Sequence, residues 1–203
     1  MILNHKVNLL LSFLKGKYGL NKRRYTPYKV LISTILSQRT KDEVTHAATK
    51  RLFSNYSTPA DFKSLSTYEI ESLIKPVGFY KVKAKWIKEI SAILVDKFNS
   101  TVPNTLSELL SLPGVGRKTA NCVLAYGFGI PALPVDTHVH RISNRLGIVK
   151  TNTPYETEQA LMQIMPREYW GTLNTALVEF GKGICKPVKP KCKECELNKV
   201  CGI

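Results

Sequence analysis

The chain has 203 residues, with 30 Lys plus Arg against 15 Asp plus Glu, a formal net charge of +15 and a pI near 9.7. That length buries a real core as one domain or two small ones, and the charge imbalance favours a polyanionic partner bound by salt-dependent counterion release. A basic membrane-surface protein would fit the charge too, but no strongly amphipathic Lys-rich helix with an aromatic face is evident, and the apolar runs fall far short of a span.

Val7, Leu10, Leu11 and Leu14 are helix-spaced with no small-residue cleavage site behind them, so residues 1–19 read as an ordinary helix rather than a signal peptide. Gly19 to Arg24 follows as a basic loop. Thr26-Pro27 supplies a cap and a first-position proline for a helix burying Tyr28, Leu31, Ile32, Ile35 and Leu36, which ends at Ser37-Gln38-Arg39. Thr40-Lys41-Asp42-Glu43 has the form of a capping box opening a helix with Val44, Ala47, Ala48 and Leu52 inside. Thr58-Pro59 and Ser66-Thr67-Tyr68-Glu69 start two more helices, the second carrying Ile70, Leu73 and Ile74 and stopped by Pro76.

The loop Val77-Gly78-Phe79-Tyr80-Lys81 leads into a helix with Ala84, Ile87 and Ile90 on its core side. Adjacent aromatics beside a glycine suit a core or a hinge. An aromatic flanked by Lys81, Lys83 and Lys85 equally suits a wedge that stacks on bases, and the lysines equally suit a solvated face.

Leu106, Leu109, Leu110 and Leu112 read as a short helix, and Cys122, Val123, Leu124 and Tyr126 as the buried part of another. Between them Pro113-Gly114-Val115-Gly116 forms a hairpin. Gly114 and Gly116 are free to take positive φ and to let a phosphate approach, while Val115 plugs the gap between the helices. The amides that open the second helix suit a phosphodiester oxygen. Arg117 and Lys118 stand in its first turn, where the dipole disfavours cations, and that placement suggests use: Arg117 on phosphate, Lys118 as a partly desolvated amine.

Phe128 to Val135 is a short linker delivering Asp136-Thr137-His138 to a helix with Val139, Ile142 and Leu146. Locally, Asp136 is an N-cap. His138 and His140 lie two apart on that helix and point in different directions. Thr153-Pro154-Tyr155-Glu156 caps another helix, and Tyr169 to Phe180 supplies the last. With no convincing strand or repeat, the chain is expected to be all-α, with about ten short helices by capping and periodicity.

The tail holds Cys185, Cys192, Cys195 and Cys201 as C-x6-C-x2-C-x5-C. Four cysteines without an export signal point to a metal, with zinc and an iron-sulfur cluster both open on spacing alone. Lys186, Lys189, Lys191 and Lys193 crowd the intervening loop, as rigid phosphate contacts or as a soluble surface. Cys122 behaves most simply as a small apolar core residue.

In order along the chain, Leu36-Ser37-Gln38, Gly78-Phe79-Tyr80, Leu112 to Asn121, Val135-Asp136-Thr137-His138 and the cysteine spacing resemble the endonuclease III family of DNA glycosylases within the helix-hairpin-helix superfamily. The resemblance spans nearly the whole chain and implies two helical domains with the active site in the cleft between them. Residues 20–135 would form a six-helix barrel carrying the hairpin, and residues 1–19 with 136–203 a domain around a [4Fe-4S] cluster. It further implies Lys118 and Asp136 as the catalytic residues, and Cys185, Cys192, Cys195 and Cys201 as the cluster ligands. DNA would be met by Gln38, filling the space of an extruded base, by Phe79 as a wedge where the family often has leucine, and by Gly114, Val115, Gly116, Arg117, Lys189 and Lys191.

The activity implied is a bifunctional glycosylase and abasic-site lyase that excises oxidised or ring-saturated pyrimidines, such as thymine glycol, from double-stranded DNA. A monomer in a prokaryotic cytoplasm is expected. A thymine- or adenine-specific mismatch glycosylase is the nearest alternative, although such relatives commonly lack a lysine where Lys118 stands. A non-catalytic DNA-binding module is the remote one, and it would require neither Lys118 nor Asp136.

Overall fold

The computed structural model describes residues 2–20 and 25–201; the predicted basic loop lies outside them over residues 21–24. Every regular element among the described residues is helical. The chain opens with α1 (Ile2–Tyr18), α2 (Pro27–Ser37), α3 (Asp42–Asn55) and α4 (Pro59–Ser64). It continues through α5 (Thr67–Ile74), α6 (Tyr80–Lys97), α7 (Leu106–Leu110) and α8 (Arg117–Cys122), and closes with α9 (Thr137–Arg145), α10 (Pro154–Ile164) and α11 (Trp170–Gly183). Contacts divide it into two compact units, residues 24–130 and residues 1–23 with 131–203.

In the unit of residues 24–130, α2 is the centre. Its Leu31, Ile32, Ile35 and Leu36 are fully buried, and it packs against α3, α6 and α8. A helix apolar around most of its girth has to be enclosed in this way. Thr26 caps it through Oγ1, with Pro27 as its first residue. The α4 and α5 starts fall where Thr58-Pro59 and Ser66 to Glu69 predict them, and both are reciprocal capping boxes, Thr58 with Asp61 and Ser66 with Glu69.

The predicted box at Thr40-Glu43 does not form. Lys41 is the N-cap of α3 and makes no side-chain cap bond. The Thr40 hydroxyl instead donates to the Gln38 carbonyl at 3.1 Å and accepts from the Gly78 amide at 3.2 Å, so tertiary partners prevail over the local cap. Ala47, predicted inside, is exposed and Thr45 is buried, because the inward stripe of α3 runs through Thr45, Ala48 and Leu52. In α7, Leu109 is buried while Leu110 is exposed.

In the other unit, Val7, Leu10, Leu11 and Leu14 of α1 are all buried, and α1 packs on α11, where Phe13 meets Phe180 edge-on at 5.2 Å. α9 packs on α10 and α11. Side chains of α9 press on the α11 backbone at Gly181, where an added Cβ would lie 2.3 Å from His138 Nδ1.

With cations outnumbering acids two to one, several find no carboxylate and bind helix C-termini instead. Lys88 donates to the Lys63 and Leu65 carbonyls ending α4, Arg51 to the Leu73 and Lys75 carbonyls ending α5, and Lys6 to the Leu146 carbonyl ending α9. These carbonyls lack helical partners and carry the negative end of the dipole, so each contact satisfies both groups.

Candidate nucleic-acid interface and active site

The hairpin between α7 and α8 is tight. Gly114 has φ +71°, and a Cβ there would lie 2.4 Å from Cε3 of Trp86 on α6, so conformation and packing both demand glycine. Val115 is buried as the expected plug, and its amide donates to the Leu112 carbonyl at 3.2 Å, so its part is to hold the turn. Gly116 departs from expectation: its φ is −92°, and a Cβ there would meet nothing within 4 Å. Its missing side chain leaves open space beside the first turn of α8, where Arg117 and Lys118 sit half-buried. α8 then passes into a π-helical segment, Val123–Phe128, closed by Gly129 at φ +71°, which helical periodicity does not anticipate.

Two other sequence-predicted residues belong to the same unit. The Gln38 amide Nε2 donates to the Gly114 carbonyl at 3.0 Å and reaches Thr119 Oγ1 at 3.5 Å, joining the end of α2 to the hairpin. Phe79 precedes α6 with φ +57° and is 62% exposed, which removes the core reading. A bulky residue held at positive φ stores roughly 1–3 kcal/mol of strain. The Arg39 guanidinium lies 5.7 Å from the ring centroid.

Lys81, Lys83 and Lys85 do not form one solvated face. Lys81 and Lys85 are exposed, whereas Lys83 is 1% exposed. Its Nζ donates to the Leu36 carbonyl at 2.8 Å, the Gln38 carbonyl at 2.5 Å and Thr40 Oγ1 at 3.1 Å, and burial pushes its pKa down to about 8. The signal in the sequence is its register, since Lys83 shares the buried stripe of Ile87, Ile90 and Leu94.

Asp136 caps α9, in the other unit from Lys118. Its Oδ1 accepts both the His138 and Val139 amides, at 2.9 and 3.0 Å, which leaves Oδ2 out of the cap. The local N-cap reading therefore holds, and it fixes a carboxylate in place. His138 and His140 turn to different partners: His138 Nδ1 faces Arg141 at 3.3 Å, and His140 Nδ1 pairs with Thr157 Oγ1 at 2.6 Å.

The four tail cysteines, with Cys192 and Cys195 flanking a 3₁₀ turn, are free and partly buried, and all line one concavity. Leu146, Phe180, Ile184 and Pro190 provide apolar walls. Burial pushes the Cys195 thiol up, and the negative charge of Cys185, Cys201 and Cys192 pushes the same way. Among the described residues no three His, Cys, Asp or Glu side chains converge as ligands of a single metal ion. Four thiols that line one concavity without converging on a single point fit a multi-iron cluster, whose positive charge would relieve their mutual repulsion. Arg145 fastens the loop between the first two cysteines, donating to the Lys186 carbonyl at 2.6 Å and the Pro187 carbonyl at 2.8 Å. On that loop Lys189 is exposed at φ +50°, and Lys191 pairs with Glu194 at 3.1 Å on the surface.

A family model for the HhH-GPD superfamily of base excision DNA repair proteins matches residues 32–167. The chain is 55% identical over 185 residues to endonuclease III of Thermotoga maritima, covering 91% of this chain and 87% of that one. Its fold resembles that of endonuclease III trapped as a covalent intermediate with DNA, with a TM-score of 0.90 and 37% identity over 98% of this chain and 95% of the other. It also resembles a thermostable thymine-DNA glycosylase, with a TM-score of 0.86 and 27% identity over 98% and 96% of the two chains. The protein thus belongs to the endonuclease III family of the HhH-GPD superfamily of base excision DNA repair proteins.

Proposed function

We propose that this DNA glycosylase and abasic-site lyase removes oxidised or ring-saturated pyrimidines, such as thymine glycol, from double-stranded DNA through a Schiff base on Lys118. The observation that carries this reading is the likeness to an endonuclease III held covalently on DNA, because such an adduct requires a protein nucleophile. Lys118 meets that requirement in the first turn behind the hairpin. The damaged base leaves the stack, at a cost of a few kcal/mol that a poorly stacked lesion lowers. Gln38 takes the vacated space and Phe79 enters the stack.

The neutral amine of Lys118 then attacks C1′. The glycosidic bond breaks, the base leaves with the bonding electrons and gains a proton, and opening of the sugar ring gives an iminium on Lys118. Asp136 stabilises the cationic sugar and assists these proton transfers. Loss of the C2′ proton expels the 3′ phosphate by β-elimination, and water releases Lys118. The likeness to a thymine-DNA glycosylase favours mismatched thymine as a second substrate, to be compared on a G·T duplex. The bacterial relative supports action in a prokaryotic cytoplasm, and a monomer suffices for this chemistry.

Phosphate recognition at the hairpin predicts opposite outcomes for its two glycines. Gly114→Ala meets Trp86 at an unfavourable φ and is expected to lose at least about 2 kcal/mol of stability. Gly116→Ala meets nothing and should lose no more than about 1 kcal/mol as a poorer N-cap. It should nevertheless weaken binding to an abasic-analogue duplex roughly tenfold, or 1.4 kcal/mol. Thermal melts and fluorescence anisotropy separate the two, and normal binding by Gly116→Ala would remove the phosphate from that turn.

Cys185, Cys192, Cys195 and Cys201 would hold a [4Fe-4S] cluster. When bound, it supplies a covalent cross-link that stiffens the tail and with it the Lys189 and Lys191 loop. Protein purified without air is expected to contain iron and acid-labile sulfide in equal amounts. Stoichiometric zinc with neither would reject the cluster.

A further inference from the structure

Lys83 is a buried cation with no acidic partner among the described residues. Its three hydrogen bonds go to two carbonyls and a hydroxyl, which fills the donor set of an ammonium. Lysine is rarely fully buried unless paired, and desolvation disfavours its charge, so an apolar side chain of the same length would cover this stripe at lower cost. What the amine adds is connection. Its acceptors end α2 and form the turn that carries Gln38, while Lys83 lies one helical turn beyond Phe79, its amide donating to the Phe79 carbonyl at 3.1 Å.

The same two turns meet at further points. The Gly78 amide donates to Thr40 Oγ1 at 3.2 Å, and a Cβ on Gly78 would lie 2.7 Å from the Arg39 carbonyl oxygen. Arg39 and Phe79 both take positive φ, at 50° and 57°, and their side chains face one another. Through its side chain, Gln38 extends the network to the Gly114 carbonyl of the hairpin. All of these contacts lie within one compact unit.

We propose that Lys83 is a positioning residue for base extrusion, its amine locking the Gln38 turn to the Phe79 turn so that both side chains act on the duplex as one piece. This rests on the assignment of Gln38 and Phe79 to the opened stack. Lys83 itself touches neither DNA nor the reacting atoms. The lock predicts a selective defect: opening a paired lesion suffers, whereas chemistry at a site with nothing to extrude does not.

Lys83→Met keeps the length and burial of the side chain and removes the donors. In single-turnover assays, base release from a thymine glycol duplex is expected to fall roughly 10- to 100-fold, the scale of an ångström-size misplacement. Nicking of a single-stranded abasic oligonucleotide should stay within about twofold, since it has no stack to open. In a Lys118→Gln background, the fluorescence rise of 2-aminopurine opposite the lesion should shrink with Lys83→Met. Thr40→Val, which breaks the same lock without emptying the lysine site, should shrink it too and serves if Lys83→Met folds poorly. Parallel loss on both substrates, or no loss on either, would overturn the proposal. Gln38→Ala and Phe79→Ala are the controls. If they leave the fluorescence rise intact, the assignment of those side chains fails and the lock has nothing to position; if they abolish it while Lys83→Met and Thr40→Val do not, the Lys83 proposal alone is wrong.

Discussion

Lys118→Gln is expected to abolish strand nicking and covalent trapping by borohydride, lowering single-turnover base release by at least about 10⁴-fold, while the protein stays folded and bound to DNA. The size of the effect follows from the role, since a covalent path without its nucleophile is lost rather than slowed. The survival of the fold follows from the position. Lys118 is half-buried in the first turn of α8, where the dipole disfavours a cation, so a neutral residue of similar reach should leave stability unchanged or raise it by about 0.3–1 kcal/mol. Duplex affinity loses at most one of many basic contacts in a chain of net charge +15, which limits the loss to a few-fold. Trapping that persisted in this variant would assign the nucleophile to another amine.

Asp136→Asn is expected to lower turnover by roughly 10²–10⁴-fold with the fold retained. The cap is observed and the catalytic role is proposed, and the substitution separates the two. As a cap, asparagine is about as good as aspartate, because its side-chain oxygen accepts the same His138 and Val139 amides that Oδ1 accepts now. As a stabiliser of a cationic sugar or a proton carrier, asparagine is inert. Asp136→Ala removes both roles and should in addition lose about 1 kcal/mol from the start of α9. If Asp136→Asn turned over normally while Asp136→Ala melted early, the cap would be its whole function.

What was legible in the sequence was what local chemistry decides. Thr58 with Asp61 and Ser66 with Glu69 announce their helix starts because both halves of each box lie within four residues, and the α1 stripe is readable because burial on one face imposes a period. Thr40 carries the same local pattern without acting as a cap, since its hydroxyl is engaged by Gly78 and Lys83 from across the fold. Gly116 looks like Gly114 in sequence, yet only Gly114 has an indole against its α-carbon, and no spacing rule reveals Trp86 there. Lys83 was hidden by its charge: among neighbouring lysines it reads as solvated, and only its register with Ile87 and Ile90 marks it as buried. Phe79 was ambiguous because an exposed aromatic and a core aromatic have the same sequence, and exposure is a property of the packed chain. The ordered set of motifs indicates the family, while the contacts that hold those motifs in place are non-local.

Borohydride trapping on a duplex carrying one thymine glycol, beside an abasic-site duplex and an undamaged control, tests the central claim most directly. An amine nucleophile that excises the base predicts a covalent protein-DNA adduct on the glycol and abasic duplexes and none on the control. Trapping on the abasic duplex alone would contradict thymine glycol as a substrate while leaving the lyase in place, and trapping on neither would contradict the Schiff-base chemistry of Lys118 altogether.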